Sequence, residues 1–184
     1  RVMSVRFPRL KKQHLNQLFI EGLGEAVREH NGLNAAPLLV DLKQPYPLKL
    51  RVYLFNCTNP PGGRAFDEYK IQVILPGQKR GCRASLDYSD GRMPLLAAYV
   101  CFADEVKDGV FVLWDAYKHE DFSYSANMQV KSDTIIKALC APVSLSKRSN
   151  NEVVVAARSQ YLLDAIKYRI AIMQKDIQEA NHES

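Results

Sequence analysis

The chain has 184 residues, 47% of them hydrophobic and 24% charged, an ordinary globular composition with room for one sizeable domain. No apolar run approaches the ~20 residues that span a bilayer, and no apolar stretch follows the basic N-terminus as a secretory leader requires, so a cytoplasmic protein without membrane partners is expected. The formal net charge of +5 is modest, and the four cysteines (Cys57, Cys82, Cys101, Cys140) are spaced too widely for a zinc ribbon or a disulfide scaffold.

In chain order, residues 12–30 carry helical periodicity, with Leu15, Leu18, Phe19, Leu23 and Val27 on one face and His30-Asn31-Gly32 as a stop. Residues 35–42 read as a short buried strand, and Gln44-Pro45-Tyr46-Pro47 as a connector. A strand-rich middle follows: 48–56, 68–75, 82–88, 95–102 and 110–115, separated by the turn phrases "NPPGGR", "PGQKRG", "SDGRMP" and "KDG". Ser132 is placed to cap a helix through Leu139, with Asp133 in its first turn. "EVVVAA" (152–157) reads as a central strand, and Ser159 as the cap of a closing helix whose apolar face is Leu162, Leu163, Ile166, Ile170, Met173 and Ile177. The order predicts an α+β fold: a curved antiparallel sheet or partial barrel, like a DNA-binding pseudobarrel, flanked by N- and C-terminal helices. Arg1 stands where a complete chain would start with Met, so 1–184 is expected to be a single domain of a longer parent chain.

The basic charge is uneven. Residues 1–12 hold Arg1, Arg6, Arg9, Lys11 and Lys12 with no acid, and residues 51–92 hold seven bases against four acids. Bases concentrated in loops suit a polyanion, of which nucleic acid is the commonest. In "PGQKRGCR" (76–83) two glycines let backbone amides approach an anion while Lys79, Arg80 and Arg83 supply charge. The loop lacks the Walker order, so phosphate-backbone contact and a plain polar hairpin both remain open for it. Arg64 in "NPPGGR" and Arg92 join the candidate phosphate contacts. On the strand "EYKIQV", Glu68, Lys70 and Gln72 share one face, which suits base edges or plain solvent.

"FVLWDAYKHEDFSYSANMQVK" (111–131) gathers Trp114, Tyr117, His119, Phe122 and Tyr124 around Asp115. One reading is a recognition pocket, with aromatics stacking on an extruded base and Asp115 accepting from its exocyclic amine. A second is a hydrophobic cluster closing the end of a barrel. A third is a nuclease centre: Asp115, Gln129 and Lys131, followed by a helix and a strand, resemble the PD-(D/E)XK core, which would require magnesium. No Pro precedes Asp115, a neutral Gln replaces the second acid, and Glu25 is the only obvious further acid. Asp41-Leu42-Lys43 also matches acid-x-Lys, with too few strands before it.

Together, "DEYKIQVILPGQKRG", the 111–131 stretch and the helix after it resemble domains of bacterial restriction-modification proteins, found in restriction endonucleases and in methylase-associated proteins of phage defence. The resemblance covers residues 67–139 and implies double-stranded DNA as ligand. The expected function is therefore DNA recognition, specific for sequence or modification, without a cofactor. Arg64, Lys79, Arg80, Arg83 and Arg92 would hold phosphates, and Trp114, Asp115, Tyr117, His119 and Tyr124 would line a pocket. A metal-dependent endonuclease is the alternative, and an interaction module without DNA the third class.

Overall fold

A computed structural model describes residues 9–58, 68–101, 106–119, 121–148 and 150–182. Helix α1 (Lys12–Leu23) leads into strands β1 (Val27–His30), β2 (Leu38–Leu42), β3 (Lys49–Asn56), β4 (Glu68–Val73), β5 (Ala84–Ser85), β6 (Met93–Val100), β7 (Val110–Trp114), β8 (Asp121–Phe122) and β9 (Ala126–Lys131). Helix α2 (Ser132–Cys140), strands β10 (Ser144–Lys147) and β11 (Val153–Arg158) and helix α3 (Leu162–His182) complete it. The principal sheet is open and curved, with seven strands in the order β1-β2-β3-β6-β7-β11-β10. β4 pairs with β9, and β5 with β8, as two smaller sheets.

The expected mixed fold with flanking helices is what forms. The sheet is antiparallel at every pairing but one: β3 and β6 run parallel, from Leu50↔Met93 to Asn56↔Tyr99. The reason lies in the connection, since a parallel pair needs a long crossover and β4, β5 and the loops around them supply it.

The centre of the sheet is covered on both faces, which is why β6, β7 and β11 are continuous apolar runs rather than alternating ones. One core joins α1 and α3 to side chains such as Leu95, Ala97, Phe111, Leu113, Val155 and Ala157. The opposite core joins β4, β9 and α2 to Leu96, Ala98, Val112, Trp114, Val154 and Ala156. Registered rows such as Ala98–Val112–Ala156 alternate smaller and larger groups beneath the covering layer. On β4, Tyr69, Ile71 and Val73 face this core, while Glu68, Lys70 and Gln72 stand outward opposite Lys131, Gln129 and Asn127 of β9.

Three expectations change at the element ends. The N-terminal helix stops at Leu23 rather than near residue 30, because Gly24 turns to φ 57°; the chain then pairs with β2 as an edge strand. The strand expected over 82–88 shortens to Ala84–Ser85, since Asp87 Oδ1 accepts the Ser89 N–H and curls the chain away. Neither expected serine cap forms: Lys131 and Arg158 hold the positions ahead of the two helical turns, with no side-chain cap. No helix among the described residues is long and apolar enough to cross a membrane.

Gly109 has no room for a side chain. A Cβ there would lie 2.3 Å from Val100 O and 2.4 Å from Tyr99 Cζ. The buried Tyr99 hydroxyl accepts the Gly109 N–H at 2.8 Å and donates to Val106 O, locking this turn to β6. Gly109→Ala is expected to destabilise the fold by about 1–3 kcal/mol through overpacking, read as a lower urea midpoint at unchanged m-value.

Candidate nucleic-acid interface

The loop between β4 and β5 is held in shape by one side chain. Gln78 Oε1 accepts the Leu75 N–H at 3.0 Å, and its Nε2 donates to Cys82 O at 2.9 Å. Gly77 (φ 80°) and Gly81 (φ 77°) supply the two left-handed turns that this closure needs. Pinned in this way, the loop presents Lys79 and Arg80 to solvent, and neither makes an ion pair among the described residues. Arg83 is exposed as well but is shared with Asp121 of β8 at 3.1 Å.

Beneath the loop lies a cleft of about 500 Å³, with Tyr53 and Leu75 in its floor and Lys79, Arg83 and Ser85 along its sides. Arg51 closes one end. It is almost fully buried, donates to Asp87 O at 2.7 Å, and is matched by the carboxylates of Asp87 (3.2 Å) and Asp90 (3.4 Å). The Ser89 hydroxyl and amide hold the Asp87 carboxyl below the ordinary carboxylate value, and the charge of Arg51 adds a smaller pull in the same direction. A second cleft of about 290 Å³ shares Pro37, Tyr53, Leu75 and Pro76 with the first and extends it past Phe55 and Ile74 to Lys12.

The aromatic stretch is built differently. Trp114 is fully buried, and its indole N–H donates to Gln129 O at 3.0 Å, tying β7 to β9. Asp115 is also buried, 3.4 Å from Arg169 of α3, whose side chain is itself fully buried and donates to Val153 O. Glu152, without solvent exposure, accepts the Asp115 N–H at 3.1 Å, lies 2.6 Å from His119 Nε2 and pairs with Arg148 at 3.0 Å. Burial pushes the Glu152 carboxyl up, but the hydrogen bond and charge of His119, the Asp115 amide and Arg148 outweigh it and leave the group below its ordinary value. Trp114 and Asp115 thus sit in the core. Tyr117 is about half exposed, Tyr124 partly buried, and His119 committed to Glu152.

Of the expected phosphate contacts, Lys79, Arg80 and Arg83 lie together on the loop. Arg92 is engaged elsewhere, 2.8 Å from the buried Asp41 and donating to Leu50 O. Burial raises the Asp41 carboxyl, and Arg92, Glu29 and Arg28 bring it below the ordinary value. Arg64 lies outside the described residues. The nuclease constellation is not assembled: Asp115 is already neutralised by Arg169, Glu25 is exposed beyond α1, and no group of three His, Cys, Asp or Glu among the described residues could hold a metal ion. Reading the sequence missed Gln78, Arg51, Glu152 and Arg169. Only Arg51 gave a signal, as a base inside an apolar strand.

These features define a mixed α+β domain with an open curved sheet and a rigid basic loop over a cleft. The chain belongs to the methylase-associated X1 family, whose model matches residues 48–166, well over half of the chain. The membership suggests association with restriction-modification methylases. No curated protein and no solved structure gives a significant match.

Proposed function

We propose that this chain is a DNA-recognition domain that works beside a methylase in a restriction-modification or phage-defence system, binding double-stranded DNA through the 76–83 loop. The supporting observation is the loop itself. Gln78 holds it rigid, and Lys79 and Arg80 project from it with their charge unmatched among the described residues. Preorganised cations of this kind meet phosphates without paying for loop ordering, and phosphate contact positions a protein on the duplex. The polar outer face of β4 and β9 lies on the same covering layer and offers Gln72, Asn127 and Lys131 for further contacts. Such a role places the protein in the cytoplasm with its DNA.

The test is titration of unmodified, cytosine-methylated and adenine-methylated duplexes at two salt concentrations in EDTA. Binding is expected to weaken steeply with salt and to survive EDTA. Lys79→Ala/Arg80→Ala should weaken all duplexes together and reduce the log–log salt slope by about 1.8, the share of two phosphate contacts. Absence of duplex binding at low salt, or an unchanged slope in the double variant, would remove this function.

A further inference from the structure

Strand β10 ends one side of the seven-stranded sheet, and hydrogen bonding just beyond it fixes which of its groups look outward. Arg148 N–H donates to Glu152 O at 2.7 Å, one step past the last registered pair, Lys147↔Val153. In an antiparallel ladder, bonded and non-bonded pairs alternate. Ser146↔Val154 and Ser144↔Ala156 are therefore bonded pairs, while Leu145 and Lys147 turn their N–H and C=O groups to the open side. Val153 O agrees, since it accepts from Arg169 of α3 and not from β10. Among the described residues nothing bonds the backbone of Leu145 or Lys147 from that side.

The side chains give this edge its chemistry. Leu145 stands across from Val155 on the face that α1 and α3 cover, yet is itself 48% exposed, and Lys147 is exposed two positions on, on the same face. Ser146, across from Val154, belongs to the opposite face and lines a cleft of about 270 Å³ with Val130 and Lys131 of β9. Lys147 and Lys131 make no ion pair among the described residues. The acids nearby are taken: Glu152 meets His119 and Arg148, and Glu68 is not free. Nucleic acid and acidic protein both carry negative charge to such an edge. Phosphates only accept hydrogen bonds and leave the two outward carbonyls unmet, whereas an extended peptide offers donors and acceptors in alternation. We infer that the β10 edge is a docking site for an acidic extended segment of a partner protein, which adds to the sheet as a strand with an acid opposite Lys147 and an apolar residue opposite Leu145. Opposite charges and apolar pairs across strands stabilise such an addition, and like charges oppose it. The surface uses none of the 76–83 loop and does not depend on DNA binding.

The probe is a short capped peptide of repeating Glu-Thr-Val-Thr, with a lysine-for-glutamate version as control, added to the full chain while amide exchange is followed by NMR. The glutamate peptide should slow exchange at Leu145 and Lys147 by about tenfold, the effect of one hydrogen bond on each amide. Ser144 and Ser146, already bonded to β11, should not change. The lysine peptide and the unmodified duplex should protect neither outward amide. Leu145→Pro removes one outward N–H without breaking the β10–β11 ladder, a place where an edge strand accepts proline, so the chain should fold and lose the peptide. Lys147→Glu keeps the backbone and should reverse the preference, weakening the glutamate peptide and strengthening the lysine one by about fivefold each. If Leu145→Pro does not fold, Lys147→Glu decides alone. No protection by the glutamate peptide, or equal protection by both peptides, would overturn the inference and leave the DNA-binding function standing. Protection of the same amides by the duplex in place of the peptide would assign the edge to DNA and overturn it. A preference that Lys147→Glu does not move, or peptide binding that survives Leu145→Pro, would place the peptide elsewhere and overturn it too.

Discussion

Arg169→Met is expected to lower the unfolding free energy by about 3–5 kcal/mol, the usual cost of leaving one member of a buried ion pair alone. Arg169 and Asp115 are both essentially without solvent exposure and 3.4 Å apart, so the loss strands a carboxylate that water cannot reach. It also removes the donor to Val153 O at the start of β11. Burial pulls the guanidinium below its ordinary value while Asp115 and Glu152 push it back up, so the arginine and the two acids depend on one another. For a chain of this length the change corresponds to a fall in Tm on the order of 10 °C. Asp115→Asn in the same chain should recover part of the loss, because the stranded charge is gone while the Oδ1 that accepts the Tyr117 N–H is kept. A loss below about 1 kcal/mol, or no recovery in the double variant, would mean that the pair is not the lock between α3 and the end of β7.

The parts of the fold that were legible are those in which burial writes itself into the chain locally. β6, β7 and β11 are read as continuous apolar runs because both their faces are covered, and β4 as an alternating run because only one is. The parallel pairing of β3 with β6 was not legible, since nothing near either strand encodes which distant strand lies beside it. Edge strands were harder still. β1 carries Arg28, Glu29 and His30, and β10 is "SLSK"; both have the polar composition that keeps an edge from aggregating, and the first reads as the end of the N-terminal helix while the second carries no strand signal.

For the site, the same distinction holds. The 76–83 loop announces itself by two glycines and three bases within eight residues, and the structure keeps those bases together. What pins the loop is a glutamine, a residue with no turn signature, so Gln78 gave no warning. For the aromatic stretch, a buried cluster and a reading pocket both stayed open in the sequence. Trp114 and Asp115 lie at a strand end beside exposed-looking neighbours, yet Trp114 donates to Gln129 O of β9, and the partners of Asp115 come from the turn before β11 and from α3. An acid is read as a ligand or a catalyst until its cation is known, and here that cation is supplied from far along the chain.

Glu152→Gln is expected to cost about 1.5–3 kcal/mol at neutral pH, the range for hydrogen bonds to a charged group. The carboxylate accepts from the Asp115 amide and meets both His119 and Arg148 without any solvent of its own; the amide keeps an acceptor but not the charge. The pH dependence has a defined sign. The folded carboxyl lies below its ordinary value of 4.5, so its ionisation stabilises the fold above that value, and the contribution is lost as pH falls through the folded pKa. The gap in unfolding free energy between the native chain and Glu152→Gln should therefore be widest near neutrality and close as the pH is taken below about 4.5, where the native carboxyl becomes neutral like the amide. Urea titrations of both chains from neutral to acid pH measure it. A gap that stays constant through that range would show that the carboxylate's charge does no work in joining the 115–119 turn to β11, and that its shape alone fills the site.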